Sequence, residues 1–310
     1  MHQPDNFAPT PGKSEELAPG IRRVLCDNPS AFTYRGTNTY LVGRGSGLAV
    51  IDPGPLDVLH QQAIEAALRP GEKITHILVT HAHGDHSPLA RYLSQSTGAP
   101  VLAFGDVKAG QSPVMAALAA QGGMGGGEGS DPDFQPDQCL VDGEIVQGDG
   151  WRMQAVWTPG HLCNHLCFDL AFDDDPFGTV FCGDHVMGWA TSIVSPPEGD
   201  LTQFMQSCET LLARPAAVYY PGHGDKITEP HARLGWLVAH RKQRETSILK
   251  ALESGSADAQ SIASRVYTDT PAPLLPAATR NVFAHLIDLT MKNKVHHNGE
   301  LTADTVFSLC

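Results

Sequence analysis

The segment His81-Ala82-His83-Gly84-Asp85-His86 constrains this chain more than any other. It places four imidazole or carboxylate groups within six residues, directly behind an apolar strand-like run, Ile74 to Thr80. Alternate side chains of an extended segment share a side, so His81 and His83 are able to face one ion. Gly84 permits a turn that aims Asp85 and His86 at a second position. Ser87 then reads as an N-cap and Pro88 as the first residue of a helix whose body starts at Leu89. Such a cluster suits divalent metal ions, and two ions about 3.5–4 Å apart clamp both sides of a hydrolytic displacement.

Three further ligand candidates each follow a strand-like run and a glycine turn: His161 after Val156–Gly160, Asp184 after Thr179–Gly183, and His223 after Ala217–Gly222. The ordered set His-x-His-x-Asp-His, then His, Asp and His, resembles the metallo-β-lactamase superfamily. The resemblance implies that His81, His83 and His161 bind a first metal and that Asp85, His86 and His223 bind a second. Asp184 would bridge the two, and Asp85 would also orient the nucleophile. That nucleophile would be a hydroxide held between the ions, since a bound cation brings the pKa of water near 7. Two divalent ions are therefore expected, zinc by default, with iron or manganese also suited to five histidines and two aspartates. His165 is expected to orient a ligand, and His185 to be a satisfied local histidine. Asp52 reads equally as a neighbour of the metals and as a turn former.

Departures within the superfamily narrow the chemistry. Its best-known β-lactamases carry a cysteine near the position of Asp184 and lack the counterpart of His86. Its flavodiiron oxidoreductases carry Glu where His83 stands, and its β-CASP nucleases insert a large domain before the last metal histidine. Here only thirty-eight residues lie between Asp184 and His223. A hydrolase with two filled metal positions remains.

Composition agrees with a soluble enzyme of two parts. At 310 residues and 41% hydrophobic content the chain has material for two domains and a sizeable core. No apolar run approaches the roughly 20 residues of a membrane span. The opening residues lack a signal-peptide pattern, and seven irregularly spaced cysteines read as free thiols of a reducing cytoplasm. Cys182 reads as core filling, and Cys163 as core or a near-site thiol.

The expected fold is α/β: an αβ/βα metallo-β-lactamase sandwich followed by a small α+β winged-helix-like domain. Residues 1–20 are expected to be a flexible arm, 21–230 the catalytic domain and 231–310 the winged helix. Strands 39–42 and 48–51 read as a hairpin through Gly43–Gly47, followed by a helix over 58–68. Residues 105–138 break the alternation, and their Gly122–Gly127 run suggests a mobile excursion, either a substrate lid or a passive loop. The segment 187–200 is expected to shape a pocket mouth, ahead of a helix over 201–213. Beyond residue 230, helices over 231–252, 257–266 and 276–291 precede an Asn298-Gly299 turn between two strands. With Asn38–Val42, the 195–201 loop and His240-Arg241 before Arg244-Glu245, this ending resembles the β-lactamase-like protein 2 family.

That family includes an enzyme regarded as an endoribonuclease, so single-stranded RNA stands beside small ester, thioester and lactone substrates. Charge argues against a nucleic-acid partner: the net charge is −13. Residues 231–310 hold nine Lys and Arg against seven Asp and Glu, and residues 1–230 hold 12 against 27. Arg265, Arg280, Lys292 and Lys294 are the candidate phosphate contacts. A third reading, a metal-binding interaction protein without catalysis, would predict bound metal but no turnover. A homodimer is compatible with the sequence.

Overall fold

A computed structural model describes residues 7–122, 129–268, 271 and 275–310. Four antiparallel strands come first: β1 (Ser14–Ala18), β2 (Ile21–Leu25), β3 (Asn38–Val42) and β4 (Gly47–Ile51). Helix α1 (Val58–Ala66) leads on to β5 (Lys73–Leu78), and α2 (Leu89–Thr97) to β6 (Val101–Ala103). Helix α3 (Pro113–Gln121) precedes β7 (Gln138–Cys139). Strands β4 to β7 pair in parallel, as helical crossovers require, and complete a seven-stranded sheet in sequential order.

The second sheet orders β12-β11-β10-β9-β8: β8 (Ile145–Gln147), β9 (Trp151–Trp157), β10 (Leu166–Phe172), β11 (Asp175–Gly183) and β12 (Val218–Pro221). Helix α4 (Leu201–Leu212) connects β11 to its parallel neighbour β12. Helices α5 (Pro230–Leu252), α6 (Ala259–Val266) and α7 (Leu275–Met291) follow, then the hairpin of β13 (Val295–His297) and β14 (Phe307–Leu309).

Period-two alternation explains why the sheets face each other. Tyr40, Val42, Ala49 and Ile51 meet Phe168, Leu170 and Phe181 of the other sheet in one core. Their neighbours Leu41, Leu48 and Val50 point outward, against Ile64 of α1 and Leu89 and Leu93 of α2. On the far side Cys167, Val180 and Cys182 pack under Phe204 and Leu211 of α4 and Leu234 and Leu237 of α5. The layers are thus helix, sheet, sheet, helix. A further core joins α5, α6, α7 and the hairpin, and it also takes in Met115 and Leu118 of α3.

Several expectations need correction. Residues 14–18 of the supposed arm form edge strand β1, because Ser14 to Ala18 find a ladder along β2. Ser87 does not cap α2; its Oγ lies 3.1 Å from His83 O and 2.9 Å from Asp131 Oδ2. Residues 105–138 are not a structureless excursion. Ser112 caps α3 through the Met115 N–H, Pro113 occupies its first turn, and its apolar face serves the C-terminal core. The glycine run there falls mainly on residues 123–128, outside the described residues, as does any reading of it as a lid. The last hairpin closes through residues 298–306, not a two-residue Asn-Gly turn. Among the described residues no helix is long and apolar enough to cross a membrane.

Candidate metal centre

All seven ligand candidates sit where a strand ends, at one rim of the sandwich. The β5 terminus supplies His81 to His86, the turn after β9 supplies His161, β11 delivers Asp184, and β12 delivers His223. Their polar atoms converge. His83 Nδ1 lies 3.0 Å from His81 Nε2 and 3.1 Å from His161 Nε2. His223 Nε2 lies 3.1 Å from Asp85 Oδ2, 3.1 Å from Asp184 Oδ2 and 3.4 Å from His86 Nε2. Asp184 Oδ2 is also 3.6 Å from His86 Nε2 and 3.8 Å from His161 Nε2, so one oxygen lies between both groups. Ligands held at roughly 2.0–2.1 Å from an ion in a tetrahedron stand about 3.3 Å apart, the spacing seen here.

Outer partners fix which nitrogen faces inward. His86 Nδ1 donates to Asp52 Oδ2 at 2.9 Å, His161 Nδ1 to Ile193 O at 2.7 Å, and His223 Nδ1 to Gly36 O at 3.2 Å. Thr80 Oγ1 donates to Asp52 Oδ2 at 2.7 Å and accepts from His81 Nδ1 at 2.9 Å. Each of these four rings therefore turns its Nε2 to the centre, the nitrogen a metal ligand offers once it is free of a proton. At His86 and His223 the neighbouring Asp85 and Asp184 supply the reason for a positive charge at that nitrogen, be it a proton or an ion. Asp184 Oδ1 is buried with no hydrogen-bond partner, a further unmet demand for positive charge. The donor set fits divalent ions; three overlapping groups, His81-His83-His161, His81-His86-Asp184 and Asp85-His86-His223, each offer ligand atoms close enough for one.

Electrostatics divide the cluster. Burial first, then neighbouring imidazoles, push His83 down to about 3 and hold His81 well below its ordinary value. Burial opposes protonation at His223 too, but Asp184 and Asp85 raise it to about 10. His86 is raised in the same way by Asp85, Asp184 and Asp52 against its burial. Burial pushes Asp85 and Asp184 up, yet His86 and His223 hold both carboxyls well below the usual range. The acidic half thus retains protons that a metal would displace.

Close packing brings the turns together. A Cβ on Gly222 would come within 2.2 Å of Asp184 Oδ1 and 2.6 Å of His86 Cε1. Asp52, at φ 50°, is both turn former and metal-site neighbour, so its two readings were not alternatives. His165 holds the ligand loop as expected: its Nε2 accepts from the Asp184 N–H at 3.2 Å while Nδ1 donates to Thr158 Oγ1. His185 is a local histidine as expected but only half satisfied, with Nε2 3.6 Å from Cys208 Sγ. It is fully buried against Phe204, and its Nδ1 has no partner among the described residues. Cys163 and Cys182 donate to the carbonyls of Val107 and Val186.

Sequence reasoning missed the residues that hold the loops. Asn38 Nδ2 donates to Pro221 O and Gly224 O on either side of His223. Asn164 Oδ1 accepts from Ala82 N–H, and its Nδ2 donates to Gly105 O and Asp106 O. Thr37 Oγ1 donates to Asp85 Oδ2 at 3.2 Å. An asparagine beside a ligand segment is the only signal these left.

Comparison with known proteins agrees with this geometry. The metallo-beta-lactamase superfamily matches over residues 33–223, and the beta-lactamase associated winged helix domain over 259–304. A beta-lactamase-like protein 2 homolog of Drosophila melanogaster is 32% identical over 296 residues, 90% of each chain. An atrochrysone carboxyl ACP thioesterase of Claviceps purpurea is 30% identical over 251 residues, 81% of this chain and 70% of that one. A beta-lactamase domain protein from Burkholderia ambifaria superposes with a TM-score of 0.80 at 20% identity, over 99% of this chain and 96% of that one. A rim of seven ligand candidates on such a sandwich, a matched superfamily domain and a matched winged helix lead to one conclusion: this chain belongs to the metallo-β-lactamase superfamily of hydrolases, in the architecture that carries a C-terminal winged helix.

Proposed function

We propose that the protein is a hydrolase with a dinuclear metal site that cleaves small acyl substrates, thioesters foremost, with esters and lactones in the same chemical class. The observation that carries this reading is the convergence of seven ligand candidates, four of them imidazoles whose outer nitrogen is already committed to the scaffold. His81, His83 and His161 would hold one ion, Asp85, His86 and His223 the other, and Asp184 both. When bound, divalent ions supply Lewis acidity, lowering the pKa of water and polarising the carbonyl under attack. Zinc suits the donors best, with iron and manganese also accommodated.

The chain's own residues do the rest. Asp85 is the most exposed carboxylate of the set, its side chain 21% accessible against 4% for Asp184. It is the carboxylate able to reach an incoming substrate, and it accepts and orients a proton there. Thr37, itself buried, steadies it through its hydroxyl. Asp52 and Thr80 keep His81 and His86 in the ligand tautomer, and buried walls exclude bulk water.

Two relatives support the thioester class by name, as ACP thioesterases. Three of the four candidate phosphate contacts are taken up by partners within the C-terminal part of the chain. Lys292 and Lys294 pair with Glu245, Lys292 also with Asp288, and Arg265 donates to Ala251 O and Ser254 Oγ. The test is thiol release from acyl-N-acetylcysteamine by metal-loaded protein, with an unstructured RNA oligonucleotide in parallel. Thioester turnover without RNA cleavage is expected. RNA cleavage without acyl hydrolysis would replace this reading with a phosphodiesterase. Asp184→Ala should lose paired metal occupancy and turnover together; full metal content at full rate would dismiss the bridging assignment.

A further inference from the structure

Beside the metal centre lies a cavity of about 320 Å³ between the two domains. Phe32, Trp189 and Ile193 wall it on one side, and Arg241 of α5, Tyr267 at the end of α6 and Arg280 of α7 on the other. It is one residue removed from the cluster, because Ile193, which lines it, offers its carbonyl to His161 Nδ1. Its other flank, Ala31 and Phe32, belongs to the loop whose Gly36 carbonyl receives His223.

The charges in this cavity are unusual for a chain of net charge −13. Arg241 is 4% exposed, donates to Ser192 O and Asn281 Oδ1, and has no carboxylate partner among the described residues. Its Nε is buried with no acceptor. Arg280, one residue before Asn281 on α7, forms no hydrogen bond or ion pair with any described residue. Arg244 lies close by with its guanidinium 3.9 Å from the Tyr267 ring centroid. Burial, and then Arg241, Arg244 and Arg233, hold His240 below its ordinary pKa, which reflects the positive field there. A buried guanidinium without a counter-ion is costly unless an anion joins it.

We infer that this cavity is the acyl subsite and that Arg280, with Arg241 behind it, recognises a carboxylate at the far end of the substrate's acyl group. The inference rests on the hydrolytic reading above and adds a substrate class: acyl groups that carry a second, anionic terminus. The apolar wall of Phe32, Trp189 and Ile193 takes the methylenes. Arg280 supplies a charge-assisted contact, and Arg241 is a positioning residue that also fixes the loop through Ser192.

Two N-acetylcysteamine thioesters of equal acyl length, glutaryl and pentanoyl, test this, since neither carries phosphate. Binding is measured by calorimetry on the Asp184→Ala protein, and turnover on the metal-loaded wild type. The glutaryl compound should bind, and be hydrolysed, about tenfold or more better. Arg280→Gln should bring the two within about twofold in both measurements, with Arg280→Lys retaining part of the preference. Equal treatment of the two acyl groups, or a preference that survives Arg280→Gln, overturns the assignment. So does discrimination that appears only with coenzyme A thioesters, because the cavity would then read the carrier's phosphate. A glutaryl preference in binding without hydrolysis of either compound would defeat the thioesterase reading and leave the subsite standing.

Discussion

Each histidine of the centre has two ring nitrogens, and for four of them the scaffold holds one and leaves the other for an ion. At His86 the holder is Asp52, thirty-four residues away and anchored by Thr80 N–H and Oγ1. Asp52→Asn should keep the shape but lose the charge that sets the tautomer, weakening metal affinity about 10- to 100-fold in a chelator competition. Unchanged affinity would show that the ring is held by packing alone. His60 is a different kind of buried histidine. Its Nε2 donates to Thr39 Oγ1, and burial lowers its pKa from 6.5 to about 4 despite Asp57. The unfolded chain gains a proton there as pH falls below about 6.5, while the folded chain resists until about 4. Stability should therefore decline across that window, by on the order of 2 kcal/mol between pH 7 and 5 from this residue. Urea midpoints for wild type and His60→Gln at both pH values measure it; equal slopes for the two would refute it.

At the scale of elements, the candidate ligands depend on turns that let helices approach closely. Gly160, at φ 138°, precedes His161, and a Cβ there would meet the Phe204 backbone of α4 at 2.3 Å. Gly160→Ala must push α4 away from the His161 turn. A cost of about 2–3 kcal/mol, seen as an unfolding midpoint lower by roughly 5 °C or more, is expected with reduced metal content. A variant that kept both would mean the turn can yield. Most elements were legible in the sequence because their apolar periods are strong: the strands before each ligand, α4, and the long α5 and α7. Strand β1 was not, since its polar Ser14-Glu15-Glu16 carries no alternating pattern and forms only by pairing with β2. Helix α3 was hidden for a related reason, because its apolar face finds its partner in the C-terminal domain.

For the molecule as a whole, the chain beyond residue 229 is packed into the sandwich. It covers Met115 and Leu118, contributes Ala284 to the core beneath α4, and supplies Arg241 to hold Ser192. Ending the chain after residue 229 should expose these surfaces. Stronger dye binding by exposed apolar groups and early elution in gel filtration are expected, with acyl hydrolysis lost even where metal is retained. A monomeric, active fragment would reduce the C-terminal domain to an independent appendage. By itself the sequence determined the ligand candidates, their order and the sandwich they decorate, because each lies within a few residues of the strand and glycine turn that present it. Only the tertiary structure decided which outer partner orients each ring and what lines the cavity. Asp52 meets His86, Gly36 meets His223, and Arg280 and Ile193 line one cavity, all across long stretches of chain where packing and not local pattern sets distance.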